Sequence, residues 1–232
     1  MAQKAEIYKM ADKDGHFRRK DSSFRDFISK DPSSKFPAEK NRYALYINYG
    51  CPWAHRTILV RGLKGMDDSI IQLIVTGFEL TADGWLFTGE NGSMEKDPLY
   101  GFHSLKELYL KADPQYEGRY TVPTLWDKRN ETIVNNESSE IIRMLYSEFD
   151  AFLPEEYREV NRPGGGFLPE HLKPEIDAMN EWVYNVSLAS SNSSRPIESL
   201  RNILSLHCLR SCCVCTLLHP FPPIASTHPH SY

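Results

Sequence analysis

A strand-like run that leads through a single cysteine into a helix-like run is the feature that most constrains the fold of this chain. Residues 43–47 read Tyr-Ala-Leu-Tyr-Ile, and a helix-forming run over 57–64 follows the dipeptide Cys51-Pro52. Proline is well suited to the first position of a helix, where no backbone N–H is needed. The pattern therefore predicts a strand and a helix joined by a short connection, with one thiol at the start of the helix.

This position favours the thiolate form of Cys51. The aligned peptide dipoles and free backbone N–H groups of a helix N-terminus attract negative charge. A two-cysteine redox motif would carry its second thiol three residues later, where this chain has Ala54. Cys51 therefore cannot close a local disulfide and needs an external thiol to resolve one. The alternative interpretation is a buried structural cysteine, the more common role of free cysteines.

Composition narrows the class of protein. At 232 residues the chain is long enough for two modest domains, which is the division we favour. The 27 Lys and Arg against 31 Asp and Glu give no electrostatic reason to expect nucleic acid or an anionic membrane as a partner. No window approaches the roughly 20 apolar residues that a membrane helix requires. We therefore expect a cytoplasmic protein that binds a small molecule.

The cysteines support the same compartment. Besides Cys51, the other four cysteines crowd together at positions 208, 212, 213 and 215. Five is an odd number, and this distribution does not match the disulfide framework of a secreted domain. A reducing compartment would also keep Cys51 available for chemistry.

The apolar pattern predicts a βαβ unit followed by a helix, two strands and a further helix. We expect an extended leader over 1–40 and a long loop over 77–104, and long loops in compact domains are usually functional. The remaining predicted elements are strands at 43–47, 70–75, 120–126 and 132–134, a turn at 127–130, and helices at 53–64, 105–111 and 138–149, the last with Asn136 and Ser138 as possible caps.

The C-terminal part changes character twice. Three consecutive glycines at 164–166 lie within a predicted linker over 151–171, and a helix is predicted over 173–184 as the start of a second domain spanning 172–185. From 186 to 232 there is no Lys, Asp or Gly, and only one Glu. This composition predicts an aberrant, disordered tail, and we hypothesise that it is intron read-through. Sequencing cDNA across codon 185 tests that hypothesis.

Four motifs carry a resemblance to a known family. In chain order they are Asn48 to Arg56, Gly84 to Phe87, Tyr120 to Asp127 and Thr132 to Met144. Over residues 35–185 the chain resembles the glutathionyl-hydroquinone reductases, which are Xi-class glutathione transferases related to the omega class. The resemblance implies an α/β thioredoxin-like, glutathione-binding N-terminal domain over 41–150. It also implies an all-α glutathione-transferase C-terminal domain, incomplete in this chain, and a homodimer in the full-length form.

The resemblance also implies roles for individual residues. Cys51 matches the catalytic nucleophile. Val122-Pro123 matches a cis-proline turn that exposes the Val122 backbone, so that the cysteinyl part of glutathione can pair with it like an added strand. An ordinary edge-strand proline is the alternative. The implied glutathione-binding residues are Trp85, Arg119, Tyr120, Thr121, Val122, Glu137 and Ser138.

The charged groups at the γ-glutamyl end of glutathione suggest how some of these residues act. Ser138 and the free N–H groups of a helix can hold the γ-glutamyl carboxylate, while Glu137 pairs with its ammonium group. A plain helix cap is the alternative for this pair. Arg119 would contribute charge and Trp85 an aromatic wall. Trp53 can shield the thiol, whereas His55 can pack or face solvent.

The implied reaction begins when the Cys51 thiolate attacks the sulfur of a glutathionyl-hydroquinone, which releases the hydroquinone and leaves a mixed disulfide. A second glutathione then resolves it. In the family, a tyrosine shortly after the Trp-Val-Tyr segment donates a proton, and this chain lacks it after Asn185. Two alternatives remain: an impaired, truncated isoform that only binds glutathione, and metal binding by the Cys and His residues of 207–219. The spacing of these residues matches no paired Cys-x-x-Cys site, so we expect no metal.

Overall fold

The computed structural model describes residues 22–191, with side chains described as far as residue 183. These residues fall into two units that divide between Glu170 and His171. The first unit contains strands β1 (Tyr43–Ile47), β2 (Ile71–Val75), β3 (Leu80–Thr81), β4 (Gly84–Trp85), β5 (Thr124–Asp127) and β6 (Thr132–Asn135), and helices α1 (Pro52–Leu63), α2 (Leu105–Ala112) and α3 (Ser138–Ser147). The second unit contains helix α4 (Lys173–Ser191).

A four-stranded mixed sheet organises the first unit. Its strand order is β2-β1-β5-β6, with β2 parallel to β1 and β5 antiparallel to it, and β6 antiparallel to β5. All five residues of β1 are buried, and the strand has a neighbour on each side. Helices α1 and α3 pack against each other, and α2 contacts β4 and β6. The predicted thioredoxin-like arrangement is confirmed.

Most elements lie where the sequence predicts them, and the differences have local causes. The first residue of β5 is Thr124 rather than residue 120, because Pro123 has no N–H to donate to a sheet. The cap of α3 is Glu137, whose side chain accepts a hydrogen bond from Ser139 N, rather than Asn136 or Ser138. Helix α1 ends as predicted, with Gly65 in a left-handed conformation at φ 64°.

The long loop over 77–104 contains a short hairpin that the sequence pattern did not predict. Strands β3 and β4 pair Leu80 with Trp85, and each has only two residues, too few for a periodicity to be recognised. The loop is attached to the sheet through Asp97, which is buried and accepts a hydrogen bond of 2.8 Å from Tyr46 Oη. Burial raises the pKa of Asp97, against the opposing effect of this hydrogen bond.

The described part of the leader is extended, as predicted, but it is held closely against the sheet. Asp26 N donates to Val134 O at 3.0 Å, and Asn136 N donates to Phe24 O at 3.1 Å. Arg25 forms an antiparallel bridge with Asn135. The leader therefore runs along β6 and covers the edge of the sheet.

Helix α4 continues beyond its predicted end at 184. The sequence from 185 to 191 contains no Gly or Pro, and it includes Leu188 and Ala189, which favour helix. The rest of the predicted tail and the Cys and His residues of 207–219 lie outside the described residues. Within the described part of the chain, no helix is long and apolar enough to cross a membrane. That same part contains no group of three or more potential metal ligands.

A buried ion pair joins the start of β1 to the end of β5. Arg42 donates to both carboxylate oxygens of Asp127, at 3.0 and 2.6 Å, and the two side chains are 5% and 0% exposed. Hydrogen bonding to Asp127 raises the pKa of Arg42. Arg42 also pairs with Glu39 at 2.9 Å, but Glu39 is 32% exposed, so removing Asp127 takes away the fully buried partner of the guanidinium. Loss of a buried partner costs far more than the loss of a surface pair.

Asp127→Ala should therefore destabilise the protein by about 3 kcal/mol. The measurement is the free energy of unfolding in urea. The matched control is Asp83→Ala, since Asp83 pairs with Lys106 at the surface, where the two side chains are 53% and 40% exposed. The control should cost no more than about 1 kcal/mol. Equal losses in the two variants would contradict the prediction.

Candidate active site

Cys51 lies at the start of α1, as the sequence predicts. It is the N-cap residue with an extended backbone, Pro52 follows inside the first turn, and no acidic residue offsets the positive end of the helix there. The thiol is half-buried and unpaired by any disulfide.

The backbone of Val122 faces this thiol. Cys51 Sγ lies 3.5 Å from Val122 O, and the Val122–Pro123 peptide bond is cis, as the resemblance implied. Thr121, the residue before Val122, is held by two hydrogen bonds. Its backbone oxygen accepts from Tyr109 Oη at 2.9 Å and from Thr124 Oγ1 at 2.6 Å. The structure thus brings Cys51 and Val122 together.

Glu137 is the N-cap of α3 and Ser138 is its first residue. Ser138 is buried, and Glu137 accepts hydrogen bonds from Ser139 N at 3.4 Å and Ser139 Oγ at 3.2 Å. The capping alternative is therefore real for Glu137. The cap uses one carboxylate oxygen, Oε1, whereas Oε2 accepts from Ser22 Oγ at 3.1 Å. A carboxylate oxygen can accept more than one hydrogen bond.

Arg56 is a site residue that the sequence analysis missed. Its Nε and Nη2 atoms donate to Ser138 Oγ at 3.0 and 2.5 Å, and Nη2 lies 3.7 Å from Glu137 Oε1. Because Ser138 Oγ accepts from Arg56, its hydroxyl hydrogen is left for another acceptor. Arg56 follows Cys51 by five residues on the same helix. A basic residue there was the available signal, but its partner is distant in sequence.

Tyr109 is a second missed residue, and it joins the two halves of the site. Besides its bond to Thr121 O, the Tyr109 hydroxyl contacts Thr124 Oγ1 at 3.1 Å and accepts from Asn136 Nδ2 at 3.1 Å. Asn136 immediately precedes Glu137. One buried hydroxyl thus holds the segment that ends at Val122 and the start of α3 in a common position.

The remaining predicted residues lie further from these contacts. Trp85 is half-buried in β4, next to Gly84, where an added Cβ would lie 2.7 Å from Tyr120 Cβ. The hairpin therefore lies against Tyr120. Arg119 is exposed, and its backbone oxygen accepts from Tyr116 Oη at 3.0 Å.

Two aromatic side chains of α1 differ in their surroundings. His55 is exposed, in line with the solvent-facing alternative. Trp53 is half-exposed, and its ring lies 5.2 Å from the guanidinium carbon of Arg56. This distance is within the range of a cation–π contact, so the Trp53 ring stabilises the Arg56 guanidinium.

This combination of fold and site defines a class of protein, and comparison with known proteins agrees with it. The family model for the glutathione S-transferase N-terminal domain matches residues 50–148. That stretch runs from the residue before Cys51 to the end of α3. Residues 50–148 therefore belong to the glutathione S-transferase N-terminal domain family, which has the thioredoxin-like fold described above.

Relatives narrow the class further. The chain is 47% identical over 174 residues to "Glutathione S-transferase omega-like 2" of Schizosaccharomyces pombe, covering 75% of this chain and 53% of that protein. It is 42% identical over 177 residues to "Glutathionyl-hydroquinone reductase YqjG" of Escherichia coli, covering 74% and 51%. The chain thus spans about half the length of the curated relatives it matches.

Solved structures show the same relationship. The Xi glutathione S-transferase of Phanerochaete chrysosporium superposes with a TM-score of 0.66 at 45% identity, covering 72% of this chain and 54% of that one. The glutathione-bound structure of Escherichia coli YqjG superposes with a TM-score of 0.61 at 42% identity, covering 69% and 52%. The described fold and its sequence relatives therefore agree with the resemblance to the Xi class.

Tyr109→Phe should destabilise the protein by about 2 kcal/mol, because the buried groups of Thr124 and Asn136 lose their common partner. Thermal or urea unfolding measures the loss. Tyr116→Phe is the matched control, since the Tyr116 hydroxyl binds Arg119 O at an exposed position. If Tyr116→Phe destabilised the protein as much as Tyr109→Phe, the proposed structural role of the Tyr109 hydroxyl would be contradicted.

Proposed function

We propose that this protein is a glutathione-dependent thiol transferase that reduces glutathionyl-hydroquinones through a mixed disulfide between Cys51 and glutathione. The observation that carries the proposal is the position of Cys51 Sγ, at the start of α1 and 3.5 Å from the Val122 backbone oxygen. The relationship to proteins named as glutathionyl-hydroquinone reductases supports the choice of substrate class.

Glutathione would bind along the surface between α1 and α3. Its cysteinyl part would pair with the backbone of Val122, which places the sulfur beside Cys51. Its γ-glutamyl carboxylate would accept from the Ser138 hydroxyl, and its ammonium group would pair with Glu137. The glutathione-bound structures of two relatives support the choice of ligand. Further contacts are proposed for Trp85, Arg119, Tyr120 and Thr121.

The chemistry balances with one additional glutathione. The Cys51 thiolate attacks the sulfur of the glutathionyl-hydroquinone, so that an S–S bond forms as the bond between sulfur and the aromatic carbon breaks. The aromatic carbon takes the electron pair and a proton, and hydroquinone leaves. A second glutathione thiolate then attacks the mixed disulfide, which releases oxidised glutathione and regenerates the Cys51 thiolate. The N-terminus of α1 stabilises that thiolate as nucleophile and as leaving group.

We further propose that the protein acts in the cytoplasm. The cycle requires reduced glutathione as the second thiol and a reduced Cys51, and both conditions belong to a reducing compartment. Fractionation of cells that express the protein, followed by immunodetection, tests this assignment.

Cys51→Ser should abolish turnover of a glutathionyl-hydroquinone, with a loss of about a thousandfold or more because the nucleophile itself is removed. Turnover is followed by the release of hydroquinone, and mass spectrometry detects the glutathione adduct on Cys51. The matched control, Cys208→Ser, removes a different thiol and should leave both turnover and the glutathione adduct on Cys51 unchanged. An adduct without turnover would indicate a protein that binds glutathione but does not reduce the conjugate.

Glu137→Gln should raise KM for the glutathionyl-hydroquinone by roughly tenfold or more, with a smaller effect on kcat, because it loses the charge that pairs with the ammonium group of the conjugate. Steady-state kinetics with the glutathionyl-hydroquinone as the varied substrate and excess glutathione measures both constants. Glu131→Gln is the control, since Glu131 pairs with Lys111 at the surface of the β5–β6 turn. An unchanged KM for Glu137→Gln would place the γ-glutamyl group elsewhere.

A further inference from the structure

We infer that the leader is a working part of the glutathione site, because Ser22 positions the carboxylate of Glu137 for the amino-acid end of the γ-glutamyl group. This inference rests on the function proposed above and adds a residue to it. The contact that carries it is the hydrogen bond from Ser22 Oγ to Glu137 Oε2 at 3.1 Å. Ser22 Oγ also lies 3.4 Å from Asn136 O.

The leader is seated firmly enough to act as a positioning element. Its backbone pairs with the edge of the sheet on both sides of Arg25, through Asp26 N to Val134 O at 3.0 Å and Asn136 N to Phe24 O at 3.1 Å. Pairing of this kind fixes the register of an added strand. Ser22 lies two residues before Phe24, so this pairing also fixes the position of Ser22.

Side chains add to this attachment. The Phe24 ring packs on Tyr109 with ring centroids 5.9 Å apart, Arg25 Nε donates to Glu140 Oε2 at 2.6 Å, and Ile28 is buried in the core. Further along, Lys30 N donates to Glu148 Oε2 at 2.8 Å. Residues 22–30 thus follow β6 and then α3, and the start of this segment meets the start of α3 at Glu137.

The two oxygens of Glu137 have different partners. Oε1 accepts from Ser139 and lies 3.7 Å from Arg56 Nη2, whereas Oε2 accepts from Ser22. The Ser22 bond therefore opposes rotation of the carboxylate into a closer ion pair with Arg56. Such a pair would compete with the ligand ammonium group for Glu137, and it would draw Arg56 away from Ser138.

The expected consequence is selectivity for thiols that carry a γ-glutamyl group. Ser22 contacts Glu137 rather than the sulfur of Cys51, so it is a positioning residue that acts through Glu137. Its effect should appear with the hydroquinone conjugate of glutathione and disappear with that of cysteinylglycine, a thiol that lacks the γ-glutamyl group. A residue that merely stabilised the fold would affect both conjugates alike.

The test compares Ser22→Ala, Ser22→Thr and Ser29→Ala in the full chain, with the hydroquinone conjugate of glutathione or of cysteinylglycine as the varied substrate and excess glutathione as the resolving thiol. Ser22→Ala should lower kcat/KM for the glutathione conjugate by roughly tenfold, mainly through KM, as expected for one hydrogen bond to a charged acceptor. It should leave kcat/KM for the cysteinylglycine conjugate unchanged. Ser22→Thr keeps the hydroxyl and should restore wild-type values. Ser29→Ala removes another leader hydroxyl, which accepts from Asp31 N, and should have no effect.

Two results would overturn the inference: unchanged kinetics in Ser22→Ala, or equal losses with both conjugates. Neither would affect the proposed function if Cys51→Ser and Glu137→Gln behave as described. Conversely, if the wild-type chain neither bound glutathione in a calorimetric titration nor formed the Cys51 adduct, the proposed function would fail, and the inference would fail with it.

Discussion

The packing of α1 against α3 is the constraint on which the rest of the site depends. Helix α1 carries the Cys51 thiol at its start and the Arg56 guanidinium one turn later. The first faces the Val122 backbone and the second reaches Ser138, so one rigid helix positions both the reacting sulfur and the charge beside the start of α3. A shift of α1 would disturb both ends of a bound glutathione together.

Polar groups inside the domain hold this arrangement in place. The hydroxyl of Tyr109 connects Thr121 with Asn136, and thereby the segment beside Cys51 with the cap of α3. Buried polar networks of this kind are stabilising only when every member is satisfied. The leader extends the same network from outside the sheet, since Ser22 reaches Glu137 while Phe24 packs on the Tyr109 ring.

Much of the fold could be predicted because its signals are local. The apolar run of β1, the proline at the start of α1 and the glycine after its end each act within a few residues, and β1 and α1 were predicted to within one residue. The short β3–β4 hairpin was missed because two-residue strands have no recognisable period. The predicted end of α4 at 184 is too early, because the change of composition at 186 introduces no helix-breaking residue before 191.

The sequence by itself determined that one thiol lies at a helix N-terminus, and the family motif predicted a cis Val-Pro turn. Only the tertiary structure decided which side chains meet at the start of α3. Arg56 and Ser138 are 82 residues apart, and Ser22 and Glu137 are 115 residues apart. No local pattern links such pairs, because their contacts exist only once β6, α1 and α3 have packed together.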